Sequence, residues 1–131
     1  MATKAGMEGY AYALMRLVVG FLFMFHGLQK ILGMYGGKVM PMMSRAWIAG
    51  IIELVGGVLV MVGLVTTPVA FICSGEMAAA YFLAHYPKAF WPIQNGGELA
   101  ALYCFVFLYI AAAGPGPWGV DSARMRGERI R

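Results

Sequence analysis

Apolar residues run along this chain in four long blocks, roughly 10–33, 47–66, 68–85 and 97–114, separated by short stretches rich in Gly, Pro, Lys and Asn. Each block approaches the about 20 residues that an α-helix needs to cross a hydrocarbon core about 30 Å thick. A helix on the outside of a soluble bundle needs a charged stripe facing water. Blocks 47–66 and 68–85 have none, since each carries one charged residue, Glu53 and Glu76, short of its outer end. The pattern therefore predicts an all-α fold, a four-transmembrane-helix bundle forming one domain over residues 1–131. The block ends are punctuated to match. Ser44 can cap the second helix, Thr67 the third with Pro68 at the first helical position, and Asn95-Gly-Gly-Glu98 has the spacing of a capping box for the fourth. Gly114-Pro115-Gly116-Pro117 then stops that helix.

Composition strengthens the membrane assignment. Hydrophobic residues make up 61% of the chain and charged residues 12%, against an apolar share near one half in soluble domains. Arg16 interrupts the first block and no small-residue cleavage motif follows it, so this block is expected to stay as a helix and not be removed as a signal peptide. Lys4, Arg124, Arg126, Arg129 and Arg131 flank the spans on the side shared by both termini, against Lys38, Arg45 and Lys88 in the opposite loops. By the positive-inside rule both termini are cytoplasmic in a bacterial inner membrane. The net charge of +4 is thus a topology signal with some attraction to anionic lipid, and it does not point to nucleic acid. Cys73 and Cys104 lie on different spans with no CxxC between them, which removes a thioredoxin-type pair and leaves them as small core residues.

The charges inside the blocks carry what chemistry there is. Counted at 1.5 Å per residue, Arg16 lies about 9 Å and Glu76 about 12 Å from the cytoplasmic face, a depth at which they can form a structural ion pair. His26 and Glu53 lie about 10 Å from the outer face, with Lys30, His85 and Glu98 nearer to it, so a polar layer is expected in the outer leaflet. Helical phase puts His26, Lys30 and Arg16 on one face of the first span. On the second, Glu53 rises from a stripe containing Gly50 and Gly57, where another helix can approach closely. A ligand-binding or proton-handling layer accounts for His26, Lys30, Glu53, His85 and Glu98 together. A purely structural network is the competing account, and taken singly Lys30 can snorkel and Glu98 can serve its helix end. The two histidines have no metal-ligand spacing, so no metal site is expected, and the Gly-Gly pairs lack the strand context of a nucleotide loop.

With those residues placed, the chain resembles the DoxX family of small bacterial four-helix membrane proteins. The likeness rests on RLVVGFLFMFHGLQK at 16–30, ELVGGVLVMVGLVTTP at 53–68, EMAAAYFLAHYPKAFWP at 76–92, NGGELAALY at 95–103 and GPGPWGVD at 114–121. The family's recurring positions fall on Arg16, His26-Gly27 and Lys30, on Glu53, Gly56 and Gly57, and on Gly97 and Glu98. The resemblance implies a link to membrane-bound redox systems, including quinone-coupled sulfur-compound oxidation and an oxidoreductase complex of oxidative-stress defence. No haem-ligand pair or cysteine motif is present, so a redox role implies a bound quinone or a partner's cofactor. The expectation is an integral membrane subunit of a redox complex, in contact with lipid and with other subunits, with quinone held at the outer polar layer. A non-catalytic assembly subunit is the alternative, and a small transporter a third.

Overall fold

A computed structural model describes residues 3–131. Helix α1 covers Lys4–Leu32 and α2 Arg45–Val62. Helix α3, Thr66–Ala80, continues through a π turn at Tyr81–His85 and a 3-10 turn at Tyr86–Lys88. A single turn, α4, Pro92–Asn95, precedes α5, Glu98–Ala113, and α6, Val120–Arg129. The described residues contain helices and loops and no strand. Three helical stretches are long and apolar enough to cross a membrane: Lys4–Leu32, Arg45–Val62 and Thr66–Lys88. The fourth predicted span, α5, is apolar but has 16 residues, about 24 Å of helix.

Two predicted boundaries move, one for a local reason and one for a distant one. The first helix begins at Lys4, not near residue 10, because Thr3 caps it by accepting a bond from the Gly6 N–H at 3.1 Å. The third begins at Thr66, ahead of the expected Thr67-Pro68 cap, because its cap comes from Asp121 of α6. That carboxylate accepts the N–H of Val65, the N–H of Thr66 and the Thr66 hydroxyl, each at 2.9 Å. Partial burial opposes the Asp121 charge, but these three donors outweigh it and hold the carboxyl below its ordinary range. Ser44 caps α2 as predicted, accepting from the Trp47 N–H. Helix α5 stops at Gly114, as the Gly-Pro repeat requires. Asn95 is not the α5 cap, which is Gly97. Its side chain instead accepts the Gly97 N–H at 2.7 Å and donates to Tyr81 and to the Ala89 carbonyl, tying the loop between α3 and α5 together.

In lipid no hydrophobic force drives helix against helix, so close backbone approach has to supply the contact. Gly20 and Gly27 on α1 meet Gly57 and Gly50 on α2. A Cβ on Gly20 would stand 2.6 Å from the Gly57 carbonyl, and one on Gly27 2.7 Å from the Gly50 carbonyl. The two helices pack antiparallel with their backbones touching along this seam. Helix α2 turns into α3 at Gly63, whose φ of 71° is left-handed and suits glycine. The next close contact sets the α2–α3 register: a Cβ on Gly56 would be 2.5 Å from Cys73 Sγ. Helix α5 closes the core against α3, with the Ser74 hydroxyl donating to the Cys104 carbonyl at 2.7 Å. Between them, Phe23 packs on Phe107 and Tyr103 at ring separations of 4.6 and 5.1 Å.

Arg16 sits at the base of this bundle and corrects the expected pairing with Glu76. Its side chain is buried, at 1% exposure. Its Nη1 donates to the carbonyls of Val60 and Met61 at 2.9 Å each, and Nη2 reaches the Pro117 carbonyl at 3.4 Å. The last carbonyls of a helix have no intrahelical donor and lie at the negative end of its dipole, so a cation there is held without a carboxylate. Nearby, the Tyr12 hydroxyl donates to the Gly114 carbonyl at 2.6 Å, the Asp121 N–H to the Gly63 carbonyl at 2.9 Å, and Tyr10 stacks on Trp118. The start of α1, the α2–α3 turn and the segment leading into α6 are thereby pinned together.

Candidate functional site

The short turn between α2 and α3 decides which charges meet. Glu53 lies ten residues before Gly63 and Glu76 ten residues after Thr66, so in an antiparallel hairpin the two carboxyls come to one level. The Gly56–Cys73 contact one helical turn below enforces the same register. Helix α1 brings Lys30 to that level through the Gly27–Gly50 contact. Lys30 Nζ donates to both Glu53 oxygens, at 2.6 and 2.8 Å, and the Glu53 side chain is 2% exposed against 30% for Lys30. Removing two charges from water costs most of what their attraction returns, so this pair fixes register more than it adds stability. Glu76 is close enough to feel the charges of both Glu53 and Lys30. From α5, Tyr103 approaches Glu53, and the His26 ring stands edge-on to Tyr103 with centroids 6.1 Å apart.

Beside this layer, α2 and α3 part to leave a groove of about 560 Å³. Lys30 and Glu76 line its inner end, Arg45 lies at the start of α2, and Ala49, Ala79 and Ala80 form smooth walls. Ile48, Ile72 and Leu83 stand exposed at its rim, on a surface suited to lipid. Among the described residues two buried side-chain polar atoms lack a hydrogen-bond partner, Arg16 Nε and Glu76 Oε2. The second belongs to Glu76, whose side chain lines the groove. An acceptor or hydroxyl left unsatisfied at such a depth costs on the order of 1 to 3 kcal/mol, which a ligand with a complementary polar group can recover.

The five residues expected to share the outer layer are divided. Lys30 and Glu53 are in it and joined. His26 borders it, but no hydrogen bond links it to Glu53, which gives both oxygens to Lys30. His85 belongs to the loop between α3 and α5, where its Nδ1 lies 3.3 Å from the Asn95 carbonyl. Glu98 is exposed in the first turn of α5. Glu76 replaces these two. Counting its depth from the ends of apolar blocks placed it near Arg16, whereas counting from the α2–α3 turn would have placed it opposite Glu53. No local signal separates Tyr103 from the chain's other aromatics.

Against known proteins, a family model described as DoxX matches residues 11–86. A protein of Haemophilus influenzae described as uncharacterized is 42% identical over 120 residues, covering 86% of this chain and 90% of its own length. A Bacillus subtilis protein named "Putative oxidoreductase CatD" is 28% identical over 121 residues, covering 88% of each chain. No solved structure matches. Three crossing-length helices joined at a charged inner layer, together with a family match spanning more than half the sequence, lead to one assignment: the chain is a multi-pass membrane protein and belongs to the DoxX family.

Proposed function

We propose that this chain is an integral membrane subunit of an oxidoreductase complex in the bacterial inner membrane, and that the α2–α3 groove takes a quinone or a lipid-soluble molecule of the same kind. In this reading the chain crosses four times, α5 being the last span, and both ends are cytoplasmic because the arginines of α6 and the tail outweigh Lys38, Arg45 and Lys88. A reporter fused to the C-terminus is then active in the cytoplasm. Periplasmic activity of that fusion contradicts the orientation. The oxidoreductase name of the Bacillus subtilis relative supports the redox assignment.

The observation that carries the ligand is the Glu76 side chain, which lines an alanine-walled groove opening among lipid-facing side chains and has no hydrogen-bond partner among the described residues, even on its buried Oε2. A quinone is flat and apolar with carbonyl oxygens at its edge, and a groove of this volume with polar groups at one end fits that shape. When bound, such a molecule supplies two-electron chemistry with proton exchange at its oxygens. The chain's own residues hold and orient it. Lys30 keeps positive potential at the inner end, Glu53 fixes the lysine, Glu76 offers a carboxyl to an oxygen, and the alanines exclude water. His26 and Tyr103 back the layer.

Purified in mild detergent, wild-type protein should carry extractable quinone, and Ala79→Trp, which fills the groove from its exposed wall, should lose most of it while remaining folded. Equal quinone content in wild type and a stably folded Ala79→Trp protein would leave a non-catalytic assembly role as the better account.

A further inference from the structure

Resting on the groove as a quinone-type site, we propose that Glu76 selects the redox form of the ligand: the protonated carboxyl holds the oxidised quinone and the carboxylate holds the quinol. The groups facing Glu76 are already committed or distant from its free oxygen. From α1, Lys30 gives its bonds to Glu53, and His26 stands against Tyr103. From α2, Glu53 is matched with Lys30, while Arg45 lies at the groove's other end, at the start of the helix. From α3, Cys73 is packed against Gly56, and from α5, Cys104 is bonded through its carbonyl to Ser74. One ammonium therefore faces two carboxyls. The set is neutral with one proton on the carboxyls and carries a single negative charge without it.

Hydrogen-bond chemistry turns that proton into a selector. A carboxylate only accepts, and a carboxylic acid also donates one bond. A quinone carbonyl only accepts, so it meets the free Glu76 oxygen favourably when that oxygen carries the proton and repels it otherwise. A quinol hydroxyl can donate to the carboxylate. Binding of the oxidised form is thus linked to uptake of one proton and binding of the reduced form is not, so the two affinities must diverge as pH rises. The linkage makes the groove exchange quinol for quinone in step with its own protonation, which is the behaviour a site needs if it is to pass protons between the membrane pool and a partner.

The test uses the full chain in lipid nanodiscs under anaerobic conditions, with decylubiquinone and decylubiquinol as probes, and reads the dissociation constant of each from pH 5.5 to 9. In wild type the decylubiquinone constant should weaken by about tenfold per pH unit above the titration point of the set, while decylubiquinol holds or tightens. Glu76→Gln, whose amide donates at every pH, should bind decylubiquinone with no such slope. Parallel pH dependence of the two probes in wild type overturns the inference and leaves the groove reading standing. A slope retained in Glu76→Gln but lost in His26→Phe overturns it in favour of the histidine. Saturable binding of neither probe at any pH overturns both the inference and the groove reading.

Discussion

The base and the middle of this bundle use the same elements, a buried charge and a helix hairpin, to opposite effect. At the base, Arg16 meets the carbonyls that end α2 and Asp121 meets the N–H groups that begin α3, so each charge lies against the helix end whose dipole favours it. At the other level, Lys30 is matched by Glu53, but a second carboxyl, Glu76, lines a groove and has no hydrogen-bond partner among the described residues. The base is sealed, with Arg16 at 1% exposure, and its remaining free atom, Nε, faces protein. Charges that cap helix ends hold the fold, and a charge beside an open apolar groove is available to something else.

The largest effect is expected at the base. Arg16→Ala removes charge-assisted bonds to two helix-end carbonyls and should cost about 4 kcal/mol in detergent unfolding. A loss below about 1 kcal/mol would mean that the base is not held by this residue. Next in size is Lys30→Met, which strands the Glu53 carboxylate and should cost about 3 kcal/mol. Lys30→Met with Glu53→Met should recover most of that loss, and simple additivity of the two single changes would show that they do not act as a pair.

Asp121→Asn should cost about 1 kcal/mol, as expected for a weakened helix cap. Its pH signature follows from the lowered carboxyl. A group whose folded value is depressed contributes stability that is present above its unfolded value, about 3.9, and lost as pH falls through the folded value. Wild type should therefore lose its advantage over Asp121→Asn in acid, and a difference that stays constant down to strongly acid pH would remove the carboxylate from the cap. Glu76→Gln should be the smallest change, under about 0.5 kcal/mol, because no bond in the fold depends on it. A loss comparable to that of Lys30→Met would place Glu76 among the structural charges.

Much of the fold was legible because its signals are local. Four apolar blocks, the Ser44 cap and the Gly114 stop are each written within a few residues, and the Gly50–Glu53–Gly57 stripe announced a close helix contact with a carboxylate beside it. What failed depends on partners far along the chain. The cap of α3 comes from Asp121, 55 residues beyond Thr66, so Thr67-Pro68 looked sufficient by itself. Arg16 was matched to a carboxylate because helix-end carbonyls do not appear in a count of charges. A count from block edges misplaces Glu76, because the blocks open at 10 and 68 while the helices open at Lys4 and Thr66, six and two residues earlier. The π turn that carries His85 out of α3 has no sequence mark at all. Its effect is to leave that histidine with the loop between α3 and α5.

Photolabelling tests, at the level of residues, whether a quinone-type molecule binds in the groove at Glu76. With the chain in native membranes, a photoactivatable azidoquinone should label peptides from the groove walls, residues 45–52 and 76–84, and excess decylubiquinone should suppress that labelling. Labelling spread over the lipid-facing residues of α3 and α5, such as Phe71 and Phe105, and unaffected by decylubiquinone, would contradict the claim.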